Sequence, residues 1–219
     1  MSKWQAPSAK RIASLHEEAL VAWYAGEGDE IDGDADSSAD PACISDLERL
    51  IVNQHRCNTR LWNLEDEARR TDATDVYIAD TKRGIDRVNQ ERNDLIERID
   101  EALLARLYRD APPAGEQNSE TAGMMIDRLS ILALKIYHMR ANSGRFAAGA
   151  TGAADAELAA ECEAKLAVLQ EQRDDLAACL DRLLADCAGG RRYFKVYRQF
   201  KAYNDPRLNP AMRGRGGQS

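Results

Sequence analysis

Charged and amide side chains lie on helix faces that should be buried, and these are the residues of this sequence best suited to chemistry. Along a helix predicted over residues 74–109, six of them follow one another at spacings of three or four: Lys82, Asp86, Asn89, Asn93, Glu97 and Asp100. At about 100° per residue this spacing forms one line along the edge of the apolar face. Lys82, Glu97 and Asp100 are interpreted as a solvated flank. Each mid-helix asparagine costs roughly 0.5 kcal/mol against alanine, which indicates a role for Asn89 and Asn93.

Arg92 lies near the centre of the apolar face of the same helix. An unpaired buried guanidinium costs several kcal/mol, so Arg92 must either extend to solvent or meet a carboxylate. A second helix, predicted over residues 45–70, supplies Glu65, and we expect the two side chains to pair.

Two further predicted helices add polar residues to faces that should be buried. In the helix over residues 45–70 these are Gln54, His55, Asn58, Trp62, Glu65, Asp66 and Arg69. In the otherwise apolar helix over residues 123–140 one sector holds Asp127, Arg128, Lys135 and His138.

Three interpretations of this polar set stay open: a structural ion-pair network, a metal site and a ligand pocket. A metal would draw its ligands from Glu65, Asp86, Asp127 and His138, but no Glu-x-x-His or His-x-x-x-His pair is present, so no metal ligand and no cofactor is assigned. The favoured interpretation is an internal pocket that binds an anionic small molecule such as a sugar phosphate or nucleotide sugar. The acid–base residues of this pocket are predicted to be Glu65, Asp66 and Asp86. Its ligand-binding residues are predicted to be Asn58, Trp62, Arg69, Lys82, Asn89, Arg92, Asn93, Asn118, Glu120, Asp127 and Arg128.

The elements that position these residues are all helical, so the predicted fold class is an all-α bundle of five to six long amphipathic helices. The helices are expected near residues 8–24, 45–70, 74–109, 123–140, 155–187 and 191–203. Residues 1–40 form the first helix and an acidic flexible loop, with seven acidic residues between Gly26 and Asp40. Residues 41–190 form the bundle, with a mobile connection at 141–154, and residues 191–219 form a basic-aromatic helix packed on the bundle and a flexible tail.

The C-terminal segment is strongly basic on an otherwise acidic protein. Residues 188–219 hold eight Lys and Arg residues against one Asp, which gives them a net charge of +7. The whole chain carries −7, so the remainder carries −14. Tyr193, Tyr197 and Phe200, spaced by four and three, form an aromatic stripe if this segment is helical. Packing on the acidic bundle is the favoured interpretation, and docking on an anionic membrane or on nucleic acid are the alternatives. Nucleic acid is disfavoured because the bundle is acidic.

Composition and cysteine usage favour a cytoplasmic protein. The five cysteines are scattered without a Cys-x-x-Cys pair, which indicates reduced thiols. No secretory signal is expected. No transmembrane segment is expected either, because the most apolar segment, Met124 to Met139, contains Asp127, Arg128 and Lys135.

Several of these motifs resemble a bacterial family, domain-of-unknown-function family 4254. The similar stretches begin at Leu61-Trp62 and at Lys82, and they include Asn118-Ser119-Glu120-Thr121 and Lys201-x-Tyr203-Asn204-Asp205-Pro206. The family form has proline at the position of Ala122. The resemblance implies a bacterial cytoplasmic protein associated with cell-surface polysaccharide synthesis, and it implies no established activity.

Two other functions remain as alternatives to a ligand pocket. The first is a non-catalytic scaffold that assembles as a homo-oligomer through its long helices, and we expect a homo-oligomer in either case. The second is an Mg²⁺-dependent hydrolase similar to helical nucleotide pyrophosphatases, because Glu91-x-x-Asp94 and Glu97-x-x-Asp100 match half of their metal-binding pattern. Whether the protein is an enzyme stays open.

Overall fold

The computed structural model describes residues 5–26, 45–109, 112–149, 152–198 and 207–209. Within these ranges five helices and two very short strands confirm the predicted all-α class. The helices are α1 (Ala9–Tyr24), α2 (Asp46–Glu67), α3 (Asp75–Leu107), α4 (Ala122–Ala148) and α5 (Ala153–Ala188). The strands are β1 (Glu116–Gln117), which precedes α4, and β2 (Arg192–Tyr193), which follows α5.

Hydroxyl side chains mark the starts of four of these helices. Ser8, Ser45, Thr74 and Thr121 each accept a hydrogen bond from a backbone N–H of the first turn. At α2 the predicted capping box is formed, since the Glu48 side chain also accepts from the backbone N–H of Ser45. Each such cap stabilises its helix by roughly 1 kcal/mol, which fixes where α4 begins beside the site described below.

The helices pack as two antiparallel pairs, α2 with α3 and α4 with α5, while α1 contacts α2, α4 and α5. The main hydrophobic core receives residues from all five helices and includes Phe194, which is 1% exposed. A smaller core lies between α2 and α3 and consists of Cys57, Leu61, Ile85, Val88 and Leu95. The apolar face of α5 is buried at Leu176, Leu180, Leu183 and Cys187.

The predicted helix at 191–203 is wrong for residues 191–198, which are not helical: Arg192 and Tyr193 form β2, and residues 194–198 have no regular secondary structure. β2 pairs in parallel with β1, with Glu116 opposite Arg192. The backbone N–H groups of Glu116 and Asn118 donate to the carbonyls of Arg191 and Tyr193 at 2.9 and 2.7 Å. These bonds, together with burial of Phe194, outweigh the helical spacing of the aromatic residues. Residues 199–206 lie outside the described ranges.

Helix α4 is longer than predicted, because it continues beyond Arg140 to Ala148. The Gly/Ala/Ser composition of residues 141–148 was interpreted as a mobile connection. Alanine is nevertheless the best helix former, and Ser143 is buried against the bundle. The acidic segment from residue 27 to 40 lies outside the described ranges.

Two properties of the described ranges bear on the sequence predictions. No helix there has the length and hydropathy needed to cross a membrane. The four cysteines there, Cys57, Cys162, Cys179 and Cys187, are free thiols, and Cys43 lies outside those ranges.

Candidate functional site

A cleft of about 380 Å³ opens between the middle of α3, the first turns of α4 and the chain that follows β2. We call it the α3–α4 cleft. Six of the polar residues that the sequence analysis placed on or beside buried faces meet there. Its wall is formed by Arg92, Asn93, Ile96, Glu97, Asp100, Ser119, Glu120, Thr121, Met124, Asp127, Arg128, Val196 and Tyr197.

Asp100 joins α3 to the first turn of α4 at the inner end of the cleft. Its carboxylate accepts the backbone N–H of Gly123 at 2.6 Å, and its side chain is 2% exposed. Burial raises the pKa of Asp100 to about 6, against the opposing effect of hydrogen bonds from the Thr121 hydroxyl and the Gly123 amide. The chains approach closely here, because a β-carbon on Gly123 would lie 2.7 Å from the carbonyl oxygen of Ile96.

Asp127 forms part of the wall and is held from behind by two amides of α2. Gln54 Nε2 and Asn58 Nδ2 both donate to its Oδ1 oxygen, at 2.5 and 2.9 Å. Arg92 Nε lies 3.9 Å from the same oxygen. Burial raises the pKa of the Asp127 carboxyl, while the Asn58 hydrogen bond and the Arg92 charge act in the opposite direction. The carboxyl is therefore fixed in position and only partly charge-compensated.

Two other carboxylates of the wall already have guanidinium partners. Arg128 Nη1 donates to both oxygens of Glu120, at 2.8 and 3.1 Å. Arg198, which follows β2, donates to Glu97 at 3.4 Å and to Glu101 at 2.6 Å. Arg198 thereby fastens the C-terminal segment to α3 and forms the third side of the cleft.

Two neighbouring residues of the wall, Arg92 and Asn93, have unmet hydrogen-bonding capacity. Asn93 is 6% exposed and makes no hydrogen bond with any residue in the described part of the chain. Arg92 Nε is buried without a hydrogen-bond acceptor. A buried donor left unsatisfied costs about 1–3 kcal/mol, and Arg92 Nε is such a group in the wall of the cleft.

Behind the cleft a buried polar network extends through α2 and α4 to α1. Asn58 Nδ2 donates to Ser130 Oγ at 2.8 Å, and Ser130 Oγ lies 2.7 Å from His55 Nδ1. The His55 ring stacks on His16, with centroids 4.6 Å apart. Burial lowers the pKa of His55 to about 3 and that of His16 well below its usual value, so both imidazoles are neutral near pH 7.

The structure brings together about half of the residues predicted for the pocket. Five of them line the cleft, namely Arg92, Asn93, Glu120, Asp127 and Arg128. Asn58 lies directly behind it. Asn118 adjoins it, where its amide donates to the Glu120 carbonyl at 2.6 Å and its side-chain oxygen accepts from Arg192 at 3.3 Å.

The three predicted acid–base residues lie elsewhere, on the exposed surface where α2 ends and α3 begins. Glu65 pairs with Arg69 at 3.3 Å, and Asp86 lies 4.0 Å from Lys82. The side chains of Asp66, Arg69, Lys82 and Asp86 are between 64% and 70% exposed. They form ordinary surface ion pairs at helical spacing, which contribute little to stability.

The expected pairing of Arg92 with Glu65 is wrong, because Arg92 lies beside Asp127 while Glu65 turns to Arg69 on its own helix. Two other predicted ligand-binding residues are also outside the cleft. Asn89 is half-buried one turn before Asn93. Trp62 stacks on His138, with centroids 4.4 Å apart, at a separate groove beside α5. Within the described ranges no group of three or more His, Cys, Asp or Glu residues is arranged to hold a metal ion.

Several residues of the site were not predicted from the sequence. Glu97 and Asp100 were interpreted as a solvated flank, but Asp100 is buried because α4 starts directly against it. Ser130 and His16 were not singled out, since a lone serine or histidine on an apolar helix face carries no distinguishing signal. Tyr197 reaches the cleft only because residues 191–198 are not helical.

Comparison with known proteins identifies one family. The family model described as "Protein of unknown function (DUF4254)" matches residues 48–196, which includes every residue of the α3–α4 cleft except Tyr197. No curated protein and no solved structure matches the chain.

Proposed function

The chain belongs to the DUF4254 family, and we propose that its α3–α4 cleft binds a sugar phosphate or a nucleotide sugar. The observation that carries this proposal is the buried Arg92 Nε, which has no acceptor and lies beside the Asn93 side chain on one wall of an open polar cleft. Buried polar groups normally find partners, and a ligand in the cleft would supply them.

The greater part of the wall suits a polyhydroxylated ligand. Carboxylates accept hydrogen bonds from hydroxyl groups, and side-chain amides both accept from them and donate to them. The cleft offers such groups on Asn93, Glu97 and Asp127. Tyr197 adds an aromatic ring that is 56% exposed, which provides a flat apolar surface for the carbon face of a sugar ring.

A phosphate would bind at the α4 side of the cleft. The first turn of α4 begins at Thr121. Its Gly123 and Met124 amides are already bonded to Asp100 and Thr121, so the attraction for a phosphate there comes from the helix dipole. Arg128, whose side chain is 58% exposed, lies two turns along the same helix and can exchange its bond to Glu120 for one to phosphate. Arg92 faces the same space from α3.

The charge balance limits how much negative charge the ligand carries. The wall contains four carboxyl groups and two guanidinium groups, and Arg198 pairs with one of these four, Glu97. Like charges in a partly buried cleft repel one another, so a sugar with one phosphate or a diphosphate linkage is favoured over a nucleoside triphosphate. If the ligand is chemically changed, Asp127 is the carboxyl placed to exchange a proton with it, rather than Glu65, Asp66 or Asp86.

Thermal denaturation with a small panel of compounds tests the proposal. The panel is glucose 1-phosphate, UDP-glucose, glucose, inorganic phosphate and ATP. A ligand at one hundred times its Kd stabilises the folded state by about 2.7 kcal/mol, which raises the Tm of a chain of this size by roughly 5–10 °C. We expect this shift with a phosphorylated sugar and not with glucose or phosphate alone. No shift with any sugar phosphate, or an equal shift with ATP, would contradict the proposal.

Two asparagines of α3 provide a matched pair of variants. Asn93→Ala removes the unpartnered amide from the cleft and should weaken binding by about tenfold, the effect of losing one or two hydrogen bonds. Asn89→Ala makes the same chemical change one turn away, outside the cleft, and should leave the affinity unchanged. Equal effects of the two substitutions on the titrated Kd would show that the ligand binds elsewhere.

Assembly with other copies of the chain is a second candidate function, and one observation favours it. The N-terminal half of α5 leaves Leu158 and Val168 42% and 51% exposed beside an apolar groove that Trp62 and Leu169 line. Exposed apolar patches of this kind mark association surfaces. Assembly would make the Tm depend on protein concentration, and a Tm independent of concentration together with a monomeric mass would remove this candidate.

A further inference from the structure

A second cavity, of about 200 Å³, lies on the opposite side of α4 from the α3–α4 cleft and contains no residue of it. We call it the α1–α4 cavity. Its wall is formed by Ala13, His16, Glu17, Leu20, Val21, Leu129, Ala133, Ile136, Tyr137, Arg140 and Arg173. We propose that the α1–α4 cavity is a separate binding site for a small molecule with an apolar body and a carboxylate group.

The apolar part of the proposal follows from the walls. Aliphatic side chains of α1 and α4, including Leu20, Leu129 and Ile136, are buried and enclose most of the space. An engineered apolar cavity of about 150 Å³ takes up benzene, so a cavity of about 200 Å³ has room for an aliphatic or aromatic group of six or seven carbons. Ala133 contributes only a methyl group, which leaves part of this space open.

A buried histidine that has no hydrogen-bond partner among the described residues forms part of the wall of this apolar space. His16 is 0% exposed, and neither of its ring nitrogens has a hydrogen-bond partner. A neutral imidazole always presents one N–H donor and one acceptor, and leaving both unsatisfied in a buried position costs about 1–3 kcal/mol for each. A carboxylate that enters the cavity would accept the imidazole N–H.

The rim of the cavity supplies positive charge for the same group. Arg140 makes no ion pair with any residue in the described part of the chain, and Arg173 is held at 2.9 Å by the neighbouring Asp174. Arg173 lies one turn before Leu176 on the apolar face of α5. Its guanidinium is therefore placed at the cavity instead of in solvent. Glu17, the one acidic residue of the wall, is exposed to solvent.

A carboxylate therefore meets a free guanidinium and a neutral imidazole, while its apolar body lies against aliphatic side chains. This combination distinguishes the α1–α4 cavity from the α3–α4 cleft, whose wall is mainly carboxylates and amides. It also excludes a sugar, because the aliphatic walls offer no partners for hydroxyl groups.

Binding of 4-methylvalerate to the full chain tests the proposal, with 4-methyl-1-pentanol as the uncharged probe of the same shape. Isothermal titration and ligand-detected NMR should show millimolar or tighter binding of the acid and at least about tenfold weaker binding of the alcohol. Equal binding of both probes, or binding of neither, would overturn the proposal.

Two substitutions keep the test specific. Arg140→Gln, at an exposed position, should weaken binding of the acid by about tenfold, whereas Arg145→Gln, farther along α4 and outside the cavity, should have no effect. Ala133→Phe fills the cavity and should abolish binding without altering any charge. Circular dichroism confirms that each variant is folded, and undiminished binding to folded Ala133→Phe would place the acid elsewhere.

Discussion

Gly123 lies where α4 begins against α3, and replacing it tests the geometry of the α3–α4 cleft most directly. In Gly123→Ala the new β-carbon would lie 2.7 Å from the carbonyl oxygen of Ile96 and 2.9 Å from the carboxyl carbon of Asp100. Both distances are shorter than ordinary carbon contacts, and the nearer atom is backbone, so the two helices must move apart.

The magnitude follows from two opposing effects. Forced separation of packed elements typically costs about 1–3 kcal/mol. Alanine is favoured over glycine inside a helix by roughly 1 kcal/mol, which offsets part of that cost. We expect a net destabilisation of up to about 2 kcal/mol, and a Tm lower by up to about 8 °C for a chain of this length.

Gly144 in the same helix is the matched control. A β-carbon there would meet nothing within 4 Å, so Gly144→Ala should gain the helix preference without any clash and raise the Tm slightly. Both variants are compared by urea and thermal denaturation followed by circular dichroism. If Gly123→Ala is as stable as Gly144→Ala, then α4 does not begin in close contact with α3, and the geometry given for the inner end of the cleft is refuted.

Two further expectations concern the same region. Burial holds the pKa of Asp100 at about 6, above its unfolded value of 3.8. The titration of this carboxyl therefore contributes about 3 kcal/mol to the free energy of unfolding below pH 3.8, and this contribution is lost as the pH rises to 6. Asp100→Asn, which keeps an acceptor for the Gly123 amide, should therefore gain stability relative to the natural chain between pH 4 and pH 7 in urea titrations, and a pH-independent difference would contradict the burial. Gly115 has a φ of +89°, and a β-carbon there would lie 2.1 Å from the carbonyl oxygen of Arg191, so Gly115→Ala should release the β1–β2 pairing and speed hydrogen exchange at the amides of Glu116 and Asn118. Gly26→Ala, at φ +83° with nothing within 4 Å, is its control and should leave those amides protected.

The sequence predicted the helices well because their signals are local. Apolar spacing of three and four residues located α1, α2, α3 and α5 to within a few residues, and the capping box at Ser45 located the start of α2. The same reasoning failed at residues 191–198, where backbone pairing with a distant strand overrides a helical spacing of aromatics. No local pattern reports a partner that lies 76 residues earlier in the chain.

The candidate site was predicted in part, for a reason visible at α2. Its polar residues Asn58 and Glu65 share one side of the helix, and their spacing does not distinguish one from the other. Asn58 is buried because α4 crosses α2 at that level. Glu65 lies beyond the crossing, where it pairs with Arg69 and contacts solvent. Whether a polar residue on an apolar face belongs to a site thus depends on where the next helix crosses, which spacing within one helix does not specify.

The buried polar network gives the two cavities a common structural element. Asp127 at the α3–α4 cleft shares Asn58 with Ser130, Ser130 contacts His55, and His55 stacks on His16 at the α1–α4 cavity. Asn58 Nδ2 donates to both Asp127 and Ser130, so one amide joins the wall of the cleft to the interior of the network. The links from Asp127 to His55 are hydrogen bonds, whereas the last link, from His55 to His16, is a stacking contact between rings. The polar residues of this core therefore form one connected structure instead of independent ion pairs, which accounts for their presence on three different helices.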